Sequence, residues 1–448
     1  MSHSRDNYLC CGVLAGCNRC FIRLFYPLSF EVPYEFELAE NITIPDNCVL
    51  EFNGGSITGD GENKNIINIQ TGLVLDGIFN DVQFVSSGGS GYITFKHCKF
   101  NITTDIVALL LTGQAEKTNI VSECEFNGVF GAAELVGQAI KLSNCLNTTI
   151  EKCYFYCLDK AVTLVNEVDH LYFRNNHFLR NLRDIYTEDG LTHQKAHICI
   201  TDNHFQMGPN GWKSIEMAAN SLFIERNEIQ ASNRTDATYI NIISGSNITI
   251  RYLSAEMSGS SDFSNIHCIK IAAVDAGYID AIKADGQFDS IVNVYDTIFG
   301  LRIGILSNSP IGGGSANTYI KNAMSSAVAL SNRLLLSKPY SINSMNGVCI
   351  DYGYNLLRKS IYITNASSET VDLSSYFDKG IKSIKIIYSG VNFSNIGEVD
   401  LRVDYDSSGT LVNNNLAYSF DSTTKILTLT NIAASGAVHV GCNFLVNT

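Results

Sequence analysis

Proline, tryptophan and charged side chains are scarce in this sequence of 448 residues, which has 6 Pro, 1 Trp and 17% charged residues. Long stretches of Ala, Leu, Glu and Lys are also missing, so the composition disfavours helices. Apolar residues make up 45% of the chain, and Asn, Ser, Thr, Gly, Ile and Tyr are common, which is typical of strands and turns. At this length one ordinary globular core does not suffice, and either several domains or a repeat array is predicted.

Clustered positive charge and long apolar runs are absent as well. The net charge is −13, and binding to nucleic-acid phosphates requires grouped Lys and Arg, so no nucleic-acid partner is expected. No apolar run is long enough to span a bilayer. An acidic, polar surface instead suits a neutral or cationic partner, or a glycan.

One six-residue phrase recurs along the middle of the chain: an apolar residue, two polar residues, Cys or Asn, any residue, and then Phe, which is replaced by Ile in the last copy. Its six copies occupy residues 95–100, 121–126, 150–155, 173–178, 200–205 and 224–229. Their spacing averages roughly 26 residues, and a strand with alternating apolar residues precedes each phrase, as at 139–142 and 214–217. A fixed phrase at variable spacing predicts a right-handed parallel β-helix, whose coils stack about 4.8 Å apart while loops absorb insertions.

The stacked phrases predict two internal ladders. The aromatic ladder comprises Phe100, Phe126, Phe155, Phe178 and Phe205, and it ends in Ile229. The ladder two residues earlier comprises Cys98, Cys124, Cys153, Asn176, Asn203 and Asn227. A small slot at a turn accepts both residue types, because a thiol fills space and an amide hydrogen-bonds along the stack. The Cys residues of the coils are therefore predicted to be reduced and structural.

No metal or cofactor is predicted. The sequence contains 14 Cys, but the inference of a disulfide framework belongs to short chains that lack a core. The only Cys cluster is formed by Cys10, Cys11, Cys17 and Cys20. Its single CxxC spacing, without a second pair, is weak evidence for a metal site.

Residues 36–57 alternate strand-forming segments with a Gly54-Gly55 turn. This segment resembles the one that opens pectate-lyase-like right-handed parallel β-helices in bacteriophage tailspikes and in surface proteins of gut bacteria. The predicted all-β organisation comprises an N-terminal cap or docking region (1–35), a parallel β-helix (36–306), a connector (307–357) and a C-terminal β-sandwich-like domain (358–448). The connector includes a Gly-rich linker at 312–315 and a predicted helix at 323–336.

The resemblance implies a tailspike-like or tail-fibre-like protein of the phage virion, which recognises host cell-surface polysaccharide and in one version degrades it. It implies a homotrimer formed through the C-terminal domain and a docking contact of the N-terminus with a tail or baseplate protein. One alternative is a secreted or surface-anchored bacterial polysaccharide lyase or glycoside hydrolase. Another is a glycan-binding lipoprotein of the outer surface, because residues 14–17 match a lipobox in which Cys17 would be lipidated.

The outer groove of the coils is the predicted site, since it suits an extended polymer. The candidate catalytic acids and bases are Asp184, Glu188, Asp189 and Glu216. The candidate substrate-binding residues are Arg180, Arg183, Tyr186, His193, Trp212 and Lys213. Trp212 follows a Gly-Pro-Asn-Gly segment predicted to be an exposed loop, where its ring either stacks on a sugar or packs under the loop. The carboxylates also fit a solvated turn.

The sequence supports both a glycan-binding protein and a polysaccharide-degrading enzyme. The chain lacks the Asn-Thr-Asp, Asp-Asp, Gly-His-Gly and Arg-Ile-Lys segments of β-helix polygalacturonases. Pectate lyases need a Ca²⁺-binding acidic cluster beside a basic residue, and the residues around Asp184 imitate it without a matching spacing.

Overall fold

The computed structural model is all-β, and the residues it describes contain no helix. These residues are 21–24, 28–31, 35–59, 65–88, 91–113, 117–188, 195–259, 262–296, 298, 300–309, 318–322, 334–336, 348–350, 357–363, 368–372, 383–389, 396–402, 407–411, 416–431 and 438–446. Within them, nothing resembles a membrane-spanning helix.

The chain divides into two compact units. The first comprises Met1–Lys270, Ile282–Asp289 and Asn308–Ser315. The second comprises Ile271–Ala281, Ser290–Ser307 and Ala316–Thr448.

The predicted parallel β-helix is confirmed, and the chain forms a parallel β-solenoid of about 10 turns. Its strands are β1 (Phe21–Leu24), β2 (Leu28–Glu31), β3 (Glu35–Leu38), β4 (Ile42–Ile44), β5 (Cys48–Glu51), β6 (Ser56–Gly59), β7 (Ile66–Ile69), β8 (Gly72–Leu75), β9 (Ile78–Asn80), β10 (Gln83–Ser86), β11 (Gly91–Lys96), β12 (Lys99–Asn101), β13 (Val107–Thr112), β14 (Lys117–Ser122), β15 (Glu125–Asn127), β16 (Gln138–Cys145), β17 (Asn147–Glu151), β18 (Tyr154–Tyr156), β19 (Lys160–Arg174), β20 (His177–Leu179), β21 (Arg183–Thr187), β22 (Lys195–Thr201), β23 (His204–Gln206), β24 (Trp212–Glu225), β25 (Glu228–Ser232), β26 (Asp236–Ser246), β27 (Ile248–Arg251), β28 (Ser254–Ser258), β29 (Asn265–Val274), β30 (Gly277–Asp280), β31 (Ile282–Gly286), β32 (Ser290–Val294), β33 (Leu301–Ile303), β34 (Leu306–Ser309), β35 (Thr318–Asn322), β36 (Leu334–Leu336) and β37 (Val348–Ile350).

Coils of the first unit contain three strand segments, one on each of three faces. The first face consists of β4, β7, β10, β13, β16, residues 160–165 of β19, β21, residues 212–217 of β24, and β26. The second face consists of β2, β5, β8, β11, β14, β17, residues 168–174 of β19, β22, residues 220–225 of β24, and β27. The third face consists of β3, β6, β9, β12, β15, β18, β20, β23, β25, β28 and β31.

The recurring phrase is a corner between the second and third faces. Its first two residues end a second-face strand and its last two begin a third-face strand, as in β11 and β12. The residue before the Cys or Asn adopts a left-handed conformation, with φ of 53° at His97 and 57° at Asp202. This conformation costs about 1–2 kcal/mol for a residue with a side chain. The sequence predicted two strands per coil, and the structure has three because one phrase contains parts of two strands.

The aromatic ladder is confirmed. Phe100, Phe126 and Phe155 are paired by the backbone register, and their ring centroids are separated by 4.8 and 5.0 Å with nearly parallel planes. Phe178 and Phe205 continue the stack at 4.7 Å per step, and all five rings are buried. The ring separation matches the strand spacing, so each coil stacks one ring on the preceding one.

The Cys and Asn ladder is confirmed as well. The Asn203 amide oxygen accepts hydrogen bonds from the backbone N and the Nδ2 of Asn176, at 2.9 and 3.0 Å. In the next coil, the Asn227 amide oxygen accepts the same two hydrogen bonds from Asn203, at the same two distances. Cys98, Cys124 and Cys153 are free and buried below them, and burial raises the pKa of the Cys124 thiol. The Cys124 thiol is therefore a neutral filler at a turn.

The N-terminal strands add to the first coils. Strands β1 and β2 form an antiparallel hairpin, and β2 pairs in parallel with β5. The lipobox ending at Cys17, and the rest of the Cys cluster up to Cys20, lie outside the described residues.

Parallel pairing in the second unit continues beyond residue 306, where the sequence predicted the connector. Strand β32 pairs with β35, and β33, β36 and β37 pair in succession. Residues 334–336, predicted as the end of a helix, are therefore a strand, because Leu334–Leu336 aligns with Leu301–Ile303. The remainder of the predicted helix and the linker at 312–315 lie outside the described residues.

The predicted C-terminal β domain forms two antiparallel four-stranded sheets. Its strands are β38 (Leu357–Ile363), β39 (Ser368–Asp372), β40 (Ser383–Ser389), β41 (Ile396–Arg402), β42 (Ser407–Leu411), β43 (Leu416–Asp421), β44 (Ile426–Asn431) and β45 (Val438–Val446). The sheet orders are β38-β45-β40-β41 and β39-β44-β43-β42. The segments around Ile384, Leu401 and Leu427 alternate apolar with other residues in the sequence, and all three are strands.

Candidate functional site

The outer side of the first face carries polar side chains on consecutive coils. A buried row of branched apolar residues lies under it: Ile140, Val162, Ile185, Ile215 and Ile240. The next residue of each strand forms what we call the central row: Lys141, Thr163, Tyr186, Glu216 and Asn241. Parallel register therefore aligns one polar position across five coils.

A second row lies three residues earlier in each strand, and we call it the basic row. It consists of Gln138, Lys160, Arg183, Lys213 and Thr238. Because parallel rungs are about 4.8 Å apart, the cations of this row follow one another along the stack of coils. The central row and the basic row, with Asp159 and Glu188, are called the polar strip below.

Glu216 is the most enclosed carboxylate of the polar strip. One of its oxygens accepts a hydrogen bond from Arg183 Nη1 at 2.9 Å, and the other accepts one from Asn241 Nδ2 at 2.8 Å. Lys213 forms an ion pair with the second oxygen, and the Glu216 side chain is 7% exposed. Both carboxylate oxygens are thus occupied, and Glu216 holds two cations of neighbouring coils in extended positions.

Tyr186 lies between two cations on the same strip. The Arg183 guanidinium carbon is 4.7 Å from the centre of its ring, and the Lys160 ammonium is 5.7 Å from it. These distances are within the range of cation–π contacts. Burial raises the pKa of Tyr186, and the Arg183 charge acts in the opposite direction. The phenol is therefore a neutral hydrogen-bonding group at the surface.

Two further carboxyl groups lie close to Lys160. Its ammonium is 4.0 Å from Asp159 Oδ2 and 3.8 Å from Glu188 Oε1, and Glu188 also pairs with Lys141 at 2.8 Å. Burial raises the pKa of Asp159, while the charges of Lys160 and Arg183 oppose this effect. Asp159 therefore retains its proton to a higher pH than an exposed aspartic acid does.

The structure brings half of the predicted site residues together on the polar strip. These are Arg183, Tyr186, Glu188, Lys213 and Glu216. Arg180 is placed elsewhere, in the turn after β20, where its guanidinium carbon lies 4.8 Å from the centre of the exposed Phe130 ring. Asp189 and His193 lie outside the described residues.

Trp212 and Asp184 are buried, so of the two alternatives for the Trp212 ring, packing under the loop holds and stacking on a sugar does not. Both side chains are 1% exposed. A Cβ atom on Gly208 would lie 2.0 Å from Cγ of Trp212, which means that the loop backbone rests directly on the indole ring. The absence of a side chain at Gly208 lets the loop cover the ring, and a ring so covered does not stack on a ligand.

A closed hydrogen-bond network accounts for the buried Asp184. Its two oxygens accept hydrogen bonds from Asn181 Nδ2 and Trp212 Nε1, both at 2.9 Å. Asn181 in turn bonds the backbone of Phe155 and Leu158, at 3.2 and 3.0 Å. Burial raises the pKa of Asp184 to about 8, against the effect of its two donors. Asp184 is accordingly a structural acid that joins coils, and its burial separates it from the polar strip.

Lys141 and Asn241 belong to the site although neither was a predicted site residue. The signal was present in the strands that precede the phrase, because the third residue of 139–142, 161–164, 214–217 and 239–242 is polar in each case and the register aligns these residues. Aligning these third positions identifies the central row from the sequence alone.

Comparison with known proteins finds likeness only among structures. No protein-family model matches the chain, and no curated protein sequence matches it. The chain is similar to a mutant of the tailspike protein of E. coli bacteriophage HK620 in complex with a pentasaccharide, with 12% identity, a TM-score of 0.48, and 94% of this chain and 87% of that chain covered. It is also similar to the tailspike protein of Acinetobacter baumannii phage AM24, with 9% identity, a TM-score of 0.35 and coverage of 83% and 77%. At these identities no residue of the chain takes its role from them.

Proposed function

We propose that this protein recognises an acidic cell-surface polysaccharide along the polar strip, as a tailspike-like or tail-fibre-like protein. The observation that carries the proposal is the presence of Lys141, Lys160, Arg183 and Lys213 on four successive coils of a chain whose net charge is −13. A linear anionic polymer lying along the stack of coils meets one cation after another at regular intervals.

The neighbours of these cations support a glycan as the ligand. Glu216 and Glu188 hold the cations in place, so little side-chain entropy is lost when an anionic sugar replaces water beside them. The half-buried ring of Tyr186 offers an apolar surface with a hydroxyl at its edge. Gln138 contributes an amide to the same strip, and amides bond sugar hydroxyls as both donor and acceptor.

The test removes positive charge while keeping the ion pair that holds Glu216. The double variant Lys160→Gln with Lys213→Gln retains Arg183 as the partner of Glu216. We expect it to bind acidic capsular polysaccharides at least about tenfold more weakly than the parent chain, and we expect added salt to weaken binding by the parent more than binding by the variant. Binding is measured by calorimetry with a panel of acidic and neutral polysaccharides.

Lys99→Gln is the matched control, because Lys99 is an exposed third-face lysine paired with Glu125 at 3.5 Å. It removes the same kind of charge from another face and is expected to leave affinity unchanged. The proposal fails if the double variant binds as tightly as the parent, or if neutral polysaccharides bind as well as acidic ones.

A homotrimer formed through the C-terminal β domain is part of the same proposal, as is a virion location with the N-terminal region docked on a tail or baseplate protein. The periodic coils offer one polymer-binding strip per chain, and three copies raise the avidity for a surface that presents many glycan chains. The mass in solution distinguishes a trimer of the 49.1 kDa chain from a monomer. An extracellular protein or a lipoprotein anchored at Cys17 is the alternative, and detection of lipid on Cys17 in the natural protein decides it.

Depolymerisation of the bound glycan is a second candidate function, favoured by Asp159. A general acid needs a pKa raised towards the working pH and a second carboxylate on the other side of the scissile bond. Asp159 has the raised pKa, and Glu188 is a second carboxylate that contacts the same Lys160 ammonium. If the strip cleaves, Asp159→Asn is expected to lower the rate by at least about 100-fold while affinity changes little.

Reducing ends and the absorbance of unsaturated uronates report hydrolysis and elimination, respectively. Asp184→Asn serves as the control, because Asp184 is buried away from the strip and its replacement is expected to act on stability instead. If the parent chain binds a polysaccharide and does not cleave it, the protein is a recognition spike and Asp159 has no catalytic role.

A further inference from the structure

Two histidines stack near the start of the second-face strands, at the corner with the first face and on other residues than the polar strip. His170 in β19 and His197 in β22 both have left-handed backbone conformations, with φ of 51° and 48°. Their ring centroids are 4.7 Å apart with an angle of 24° between the planes. Consecutive coils thus present two imidazoles from equivalent corner positions, at the separation set by the strand spacing.

A carboxylate joins the two rings. Asp169 Oδ1 lies 2.7 Å from Nδ1 of His197 and 3.2 Å from Nδ1 of His170. The side chains of His170 and His197 are 50% and 55% exposed, and that of Asp169 is 21% exposed. Three potential ligand atoms, one from each residue, lie within 4.8 Å of one another.

We propose that Asp169, His170 and His197 bind a divalent transition-metal ion of the Zn²⁺ type. Two imidazole nitrogens and one carboxylate oxygen suit Zn²⁺, Ni²⁺ or Cu²⁺, whereas Ca²⁺ and Mg²⁺ prefer oxygen ligands alone. Ligand atoms about 2.0–2.2 Å from one ion are separated by roughly 3–3.5 Å, so small side-chain rotations bring the three atoms to coordinating positions. The exposure of both rings leaves the remaining positions to water.

The ion would connect successive coils. Asp169 and His170 come from one coil, and His197 comes from the next. A bound metal therefore links β19 to β22 outside the backbone hydrogen bonds, and it stabilises the folded chain because the unfolded chain does not hold these ligands together. This site is independent of the polar strip, since it lies on other residues and needs no glycan.

A second histidine pair provides the internal comparison. His177 and His204 stack on the third face with centroids 4.7 Å apart, the same separation as the corner pair. Among the residues that the structure describes, Asp169, His170 and His197 form the one group of three or more potential ligands this close together. Comparison of the two pairs therefore distinguishes the contribution of ring stacking to metal binding from the contribution of the carboxylate.

The test measures metal binding to the full chain after treatment with a chelator. Calorimetry with ZnCl₂ is expected to detect a site in the parent chain that His197→Asn weakens at least about 100-fold. Asn is the appropriate replacement, because Asn247 adopts the same left-handed conformation, with φ of 53°, at the corner two coils later. His204→Asn is the matched control and is expected to leave the site intact.

Cobalt substitution separates this site from the thiols near the N-terminus. Co²⁺ bound to His197 lacks the near-ultraviolet charge-transfer bands of a cobalt thiolate, and its visible spectrum is expected to disappear in His197→Asn. Zinc is also expected to raise the thermal midpoint of the parent chain and of His204→Asn, but not that of His197→Asn. Equal zinc affinity in the parent chain and His197→Asn, or a purely thiolate cobalt spectrum, overturns the proposal.

Discussion

Replacing Trp212 by alanine is expected to lower the free energy of unfolding by about 3–5 kcal/mol, the usual cost of removing a large buried aromatic side chain. Trp212 is 1% exposed, and its ring centroid lies 5.4 Å from that of the buried Tyr239. Its Nε1 donates a hydrogen bond to Asp184 at 2.9 Å, so the variant also removes one donor from a buried carboxyl group. Denaturant unfolding followed by circular dichroism measures the loss.

Trp212→Phe divides this effect into two parts. Phenylalanine keeps an aromatic ring in the cavity but removes the N–H donor, and the expected cost is about 1–3 kcal/mol for the hydrogen bond lost. Trp212 is the sole tryptophan, so its fluorescence in the parent chain independently reports when the ring becomes exposed. Equal stability of the parent and Trp212→Ala would contradict the buried position of the ring.

Stability is expected to fall as pH rises from about 4 to 8 because of Asp184. Burial raises its pKa in the folded chain to about 8, above the value of about 3.9 for an unfolded aspartate. Below about pH 4 the group is protonated in both states, and its contribution is fully present. As pH rises, the unfolded state ionises first, so the contribution is lost by about pH 8 and amounts to a change on the order of 5 kcal/mol.

Asp184→Asn isolates this contribution, because asparagine does not ionise. Its Nδ2 faces a donor where the acid has an acceptor oxygen, so at pH 5 the variant is expected to be less stable than the parent by about 1–3 kcal/mol. The difference is expected to shrink, and then to change sign, as pH rises to 9. Unfolding midpoints measured from pH 4 to pH 9 test this, and parallel profiles for the two chains would refute the raised pKa.

The burial of Asp184 also affects how activity data are to be interpreted. If an Asp184 variant loses glycan binding or cleavage, the cause is displacement of the coils around Trp212, and not the loss of a group that contacts the ligand. Glu216 and Glu188, in contrast, belong to the strip and contact Arg183 and Lys141, respectively. A variant series on this protein therefore needs a stability measurement beside each binding measurement.

The repeat made the fold predictable, because stacking turns a sequence period into contacts. Once each phrase occupies one coil, Phe126 must lie between Phe100 and Phe155, and Asn203 between Asn176 and Asn227, whatever the loops do. Alternation within the preceding strands likewise places Glu216 above Tyr186 in the central row. Local patterns of one coil are thus sufficient for the ladders and for a large part of the polar strip.

Loop lengths vary between coils, and the sequence patterns did not predict how the loops pack on the coils. The segment at Gly208 has the composition of an exposed turn, and only its folding back over the indole buries Trp212 and brings Asp184 to it. The sequence patterns also missed the third strand of each coil. The left-handed corner residue that separates the two strands lies within the phrase, and no alternation of apolar and polar residues marks that corner.

The amino-acid order alone determined the repeating coil, the buried ladders and the aligned polar rows, since these depend on residue spacing within each repeat. The tertiary structure decided which charged groups meet across coils: Arg183 with Glu216, and Asp169 with His197. It also decided which ionisable side chain is withdrawn from water, as Asp184 is. The physical reason is that such contacts join residues about 25–35 positions apart, at separations set by the lengths of individual loops, and no period in the sequence encodes them.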